Sequence, residues 1–102
     1  MKIIIVYTTY PNGKTGQKIG EILLKEKLIA CYNIFPIKSG YFWQGKKNLD
    51  NEFVGILKTI KENWLKLKKR IKEIHPYKTP CILKFEVEAD NDYYQWVKES
   101  VG

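Results

Sequence analysis

The chain has 102 residues, 44% hydrophobic and 28% charged, with a formal net charge of +7, the make-up of one globular domain over residues 1–102. No apolar run reaches the ~20 residues of a membrane span, and the short apolar opening lacks a basic leader and a small-residue cleavage site, so a cytoplasmic chain without a membrane partner is expected. Lysine supplies nearly all the positive charge but is scattered along the chain, which favours a solvated surface, as in hyperthermophiles, over a nucleic-acid partner.

Lys2 to Thr9 is almost continuously apolar and β-branched, as expected of a central strand covered on both faces. Asn12 is placed to cap a helix running to about Lys27, with Ile19, Ile22, Leu23 and Leu28 toward the core. Gly16 and Gly20 weaken that helix and so predict a close approach to the sheet. Gly13, Lys14 and Thr15 at a helix start resemble a P-loop ending, but a Walker loop needs another glycine five positions earlier and Thr8 stands there, which rejects it.

Ala30 to Gly45 reads as one long strand with Pro36 inside it. At ~3.3 Å per residue such a strand would run roughly 55 Å, against a radius of gyration near 13 Å for about 100 residues. It must bend, by a kink or bulge near Pro36, or project and be covered by another chain. Lys46 to Asn51 reads as a polar turn and Glu52 to Ile60 as the returning strand of an antiparallel hairpin. Trp64, Leu67, Ile71 and Ile74 recur at helical spacing over Glu62–Ile74, and Pro76 ends that helix at His75. Ile82 to Ala89 alternates, with Leu83, Phe85, Val87 and Ala89 on the packing face and Lys84, Glu86 and Glu88 on the other. Asp90 or Asn91 caps a last helix carrying Tyr93, Trp96 and Val97 on its apolar side.

The order β, α, β, β, α, β, α defines an α+β class, a ferredoxin-like βαββαβ(α) sandwich with a long hairpin between the second and third strands. Right-handed crossovers put the first and third strands in the centre and the second and fourth at the edges.

Two stretches carry candidate chemistry. Tyr41, Phe42 and Trp43 are consecutive on a strand, so their rings alternate in direction and at least one must leave the core. They suit an interface between chains better than a base-stacking platform, because the basic-glycine signature of RNA-recognition sheets is absent. Nucleic-acid binding would in any case weaken steeply with salt. In the run from His75 to Cys81, one imidazole and one thiol could ligate a soft metal, with Glu52 or another subunit completing the site. Against this, His75 also suits a helix-end cap and Cys81 a place in the core. Cys31 and Cys81 form no zinc or CxxC pattern and are expected as free thiols. No triad or paired-carboxylate pattern appears, so an enzyme is not expected.

The run LIACYNIFPIKSGYFWQG, Glu52, the ILKT of Ile56–Thr59, Trp64, the string IKEIHPYKTP, Tyr94 and Trp96 together resemble the CutA divalent-cation tolerance proteins. The resemblance covers nearly the whole chain, from Tyr7 to Val101. It implies a homotrimer with neighbouring strands paired at sheet edges, and a role in tolerance of divalent metals through binding of copper or another divalent cation. The suspected ligand positions of some relatives fall on Thr8, His75 and Cys81. One thiol is lost and another gained, so only His75 carries over intact, and Cys81 would favour a softer ion such as Cu(I). The competing reading is a PII-like trimeric signalling protein holding a small anionic ligand in clefts between subunits.

Overall fold

A computed structural model describes residues 1–102. Its elements are β1 (Lys2–Tyr10), α1 (Gly13–Lys25), β2 (Cys31–Trp43), β3 (Lys46–Thr59), α2 (Trp64–Ile74), β4 (Ile82–Glu88) and α3 (Asn91–Ser100). One antiparallel sheet runs in the order β2-β3-β1-β4, so β1 and β3 are central, as the crossover argument requires.

Local chemistry sets the helix ends. The Asn12 side chain accepts the Thr15 amide at 2.7 Å, and Asp90 accepts from Asp92 and Tyr93 at 3.0 and 3.4 Å; each satisfies amides that the first helical turn leaves free. At the other end of α1, Leu28 donates to the Leu23 carbonyl and Lys27 to that of Leu24. This double closure puts Lys27 in the left-handed region at φ 58°, a conformation that glycine adopts with less strain. The helix α2 stops where expected: His75 is extended, at φ −79° and ψ 137°.

Both α1 and α2 cover one face of the sheet. Ile4, Val6 and Tyr10 of β1 and Leu57 of β3 meet Ile19, Leu23, Leu67 and Ile71 there. Gly16 and Gly20 make the predicted close approach: a Cβ on Gly16 would lie 2.6 Å from the Tyr10 ring, and one on Gly20 2.7 Å from Tyr32. Arg70 of α2 holds Glu26 through two 2.8 Å bonds, tying the end of α1 to its neighbour. The opposite face is covered only at one end, where Val97 of α3 packs with Ile3 and Ala30, flanked by Val87 and Ala89.

Three expectations are corrected. The hairpin turns at Gln44 and Gly45, not over Lys46–Asn51, with φ of 53° and 77° and Trp43 paired to Lys46; two positive φ values match the twist of flanking strands. The tip lies beyond the body, so it has no core face and its polar strand residues read as a loop. Pro36 causes no bulge, because the β2–β3 register is unbroken from Cys31–Lys58 to Trp43–Lys46; an edge strand tolerates its missing donor. The ribbon therefore projects, and the molecule measures 45 × 24 × 21 Å. On β4, Ile82 packs against the main core, whereas Leu83 and Phe85 are 49% and 50% exposed. Their face is the one that α3 covers only in part.

Candidate functional site

One face of the projecting ribbon, from Glu52 out to Trp43, meets the turn after α2 in a cleft of about 480 Å³. It is lined by Thr9, Tyr41, Trp43 and Glu52 and, from the turn, by Pro76 to Thr79 and Cys81. Sheet register explains the grouping. Tyr41, Trp43 and Glu52 sit at alternating positions on one face of the ribbon, while Phe42, 75% exposed, points the other way. Two of the three aromatics expected at an interface thus share a cleft with two of the expected metal ligands.

Glu52 is the centre of the cleft. It is only 8% exposed, and no lysine or arginine nitrogen lies within 4.0 Å of its carboxylate. The Tyr77 hydroxyl donates to its Oε2 at 2.5 Å. Burial first, and then this carboxylate, push the Tyr77 phenol far above its ordinary value. The Cys81 thiol is raised too, by burial and then by the Glu52 charge, so it is a protonated thiol at neutral pH rather than a ready thiolate. Tyr41 donates to Asp50 on the same ribbon, which raises its phenol as well.

His75 lies behind the cleft, 8% exposed, stacked on Tyr10 at 5.5 Å and tilted against Tyr77 at 4.8 Å. The Tyr77 amide donates to its Nδ1 at 3.0 Å, so Nε2 carries the proton and donates to the Thr9 carbonyl at 2.8 Å. Burial lowers its pKa, with the Thr9 bond and the Glu52 charge acting the other way. In this arrangement neither ring nitrogen has a free lone pair for a metal. Thr8 is wholly buried on the helix-covered face and does not line the cleft. Cys31 and Cys81 are both free thiols, and Cys31 sits away from the cleft, near the Tyr93 hydroxyl.

The donors in one chain make an incomplete cation site. No three His, Cys, Asp or Glu groups converge, whereas closed metal sites commonly use four ligands. Glu52 and Cys81 face the cleft, and His75 supports its wall. Sequence reasoning gave no role to Tyr77 or Thr9. The tyrosine stood in the HPYKTP string, but nothing local to that string says that its hydroxyl meets a carboxylate 25 positions away.

A family model described as CutA1 divalent ion tolerance protein matches residues 4–100. The chain belongs to this CutA1 family. The divalent-cation tolerance protein CutA of Pyrococcus horikoshii is 46% identical over 98 residues, covering 95% of this chain and 96% of that one. A crystal structure of CutA1 from the same organism has a TM-score of 0.95 at 43% identity, covering 97% of this chain and 98% of that chain. A structure from Archaeoglobus fulgidus, titled a periplasmic divalent cation tolerance protein, has a TM-score of 0.94 at 37% identity and covers 98% and 99%. These CutA1 relatives share the α+β fold and are named for divalent-cation tolerance, which supports a role in metal tolerance in general. No helix is long and apolar enough to cross a membrane.

Proposed function

We propose that this chain acts as a homotrimer that takes up a divalent cation, copper foremost, at the cleft under the β2–β3 ribbon, by binding and not by catalysis. The observation that carries this reading is Glu52, a buried carboxylate without a cationic partner in a chain of net charge +7. A buried anion without a counter-charge is costly, and a bound cation would relieve that cost. Cys81 would add a soft donor once it loses its proton, so uptake would release protons and weaken as the pH falls. His75 holds the turn that carries Tyr77, and it joins the ligands only if the Tyr77 amide releases Nδ1.

Assembly is supported by the half-open sheet face. Leu83 and Phe85, neighbours on one face of β4, and Trp96 of α3 are 47–50% exposed, large apolar side chains of the kind that a second chain would cover. Three copies is the number that the resemblance implies, and a neighbour at the ribbon would bring further donors to the cleft. Two free thiols fit a reducing cytoplasm; the Archaeoglobus fulgidus relative, described as periplasmic, names the alternative compartment.

Calorimetric titration of copper(II) into the protein and into Glu52→Gln, Cys81→Ser and His75→Ala tests the site. Glu52→Gln and Cys81→Ser should each weaken binding about tenfold or more, which is ~1.4 kcal/mol. Isotherms for Glu52→Gln that match the unmodified protein would sink the proposal, and unchanged isotherms for His75→Ala would remove His75 from the ligands.

A further inference from the structure

A second cleft, of about 400 Å³, lies on the other side of the His75–Cys81 turn. It is lined by Lys68, Lys72, Lys78, Thr79, Pro80 and Ile82, within the 300–1,000 Å³ range of small-ligand sites. Lys68 and Lys72 are four apart on α2, so they share a helix face. Lys78 and Thr79 approach from the turn. Lys84 follows on β4, with its Nζ 5.4 Å from the centroid of the Trp64 ring and the Lys68 Nζ 5.5 Å from the same ring. One indole therefore gathers two ammonium groups beside the cleft, a favourable contact for each that leaves their N–H donors free.

No carboxylate lines this cleft, and none of these four lysines takes part in an ion pair. Glu73, the acidic residue beside Lys72, is engaged by Arg70. The three lysines that line the cleft have no counter-ion among its lining residues, and like charges repel one another. The arrangement is relieved by an anion carrying several charges along its length. A single small anion would meet only part of the set.

We propose that this lysine cleft, built within one chain between α2 and the start of β4, binds the oligophosphate group of a small ligand. Lys68, Lys72 and Lys78 act as point charges on the phosphates, and the Thr79 hydroxyl donates one hydrogen bond. The site is a different cleft from that of Glu52, although Lys78 and Thr79 line both, and it does not depend on metal uptake there.

Inorganic tripolyphosphate and adenosine triphosphate, each free of added metal, are titrated calorimetrically at low salt. The proteins compared are the full chain, Lys72→Ser/Lys78→Ser, and Lys18→Ser/Lys25→Ser, which removes the same charge from α1. Both ligands should bind the full chain, the cleft variant should lose at least tenfold in affinity, and the α1 variant should stay within twofold. Equal affinities would point to the phosphate chain alone as the ligand, and tighter adenosine triphosphate binding to a nucleotide; both outcomes support the site. No binding of either ligand, or equal weakening by the two variants, would overturn it, the latter because diffuse charge would then be the cause. All four substituted lysines are exposed, so matching melting curves are expected and separate lost binding from lost fold.

Discussion

At the scale of single residues, the cleft is organised by hydrogen bonds that fix protonation states. Tyr77 does two things at once: its amide fixes the His75 tautomer and its hydroxyl caps the Glu52 carboxylate. The result is a neutral imidazole held between a carbonyl and an amide, which a proton would disrupt. Its pKa is lowered in the folded state, whereas the unfolded chain titrates near 6.5. Below about pH 6.5 the unfolded state therefore binds more protons than the folded one. The stability that His75 contributes is fully present above that pH and is lost as the pH falls through the folded value. Melting temperatures measured from pH 7.5 down to 5 should fall more steeply for the unmodified protein than for His75→Gln. Parallel curves would show that this imidazole does not titrate with unfolding.

At the scale of the elements, ends matter more than middles. The first helix has a cap at its start and a strained residue at its close, and these are independent levers. Asn12→Ala removes the bond to the Thr15 amide and should cost ~1 kcal/mol. Lys27→Gly relieves the left-handed lysine and should stabilise by about 0.5–1 kcal/mol, less whatever entropy the flexible residue adds to the unfolded chain. Urea unfolding of the two variants and their double mutant checks both signs. The sites lie at opposite ends of the helix, so the effects should add. A Lys27→Gly variant that loses stability would mean that the lysine side chain contributes more at this position than its backbone strain costs.

At the scale of the whole molecule, the sheet is finished on one side and open on the other. Its helix-covered face holds the main cluster, including Leu57, Leu67 and Ile71, all fully buried. The opposite face carries half-exposed Phe85 and Leu83 on the edge strand β4, with β1 between them and the ribbon. Covering one such phenylalanine is worth roughly 1.5–3 kcal/mol, and placing a charge there would leave that charge buried in any assembly. If the proposed trimer uses this face, Phe85→Asp should shift native mass spectra from trimer toward monomer. Leu65→Asp, on the exposed side of α2 at 69% exposure, should leave the assembly unchanged. Equal behaviour of the two variants would move the contact surface away from the open face.

The sequence by itself determined what is local. Periodicity gave the order of strands and helices, Asn12 and Asp90 announced their helix starts, and Gly16 and Gly20 marked where α1 meets the sheet. Motifs in register carried the CutA resemblance. What depends on register and distant contact was decided only by the tertiary structure. The long outgoing strand of the ribbon was legible, but the start of the returning strand at Lys46 was hidden because the tip, outside the core, has no buried face to impose alternation. On β4, Val87 and Ala89 pack on the side that their alternation implied, but Leu83 and Phe85, with the same pattern, stay half exposed because α3 covers only one end of that face. His75 stood out in the sequence as the sole imidazole, but its two bonds, to a carbonyl 66 positions away and an amide two residues on, come from the fold. So does the cleft that Tyr41, Trp43 and Glu52 share. Hydrophobic period is a property of neighbours along the chain, whereas a cleft consists of residues that only the folded backbone brings together.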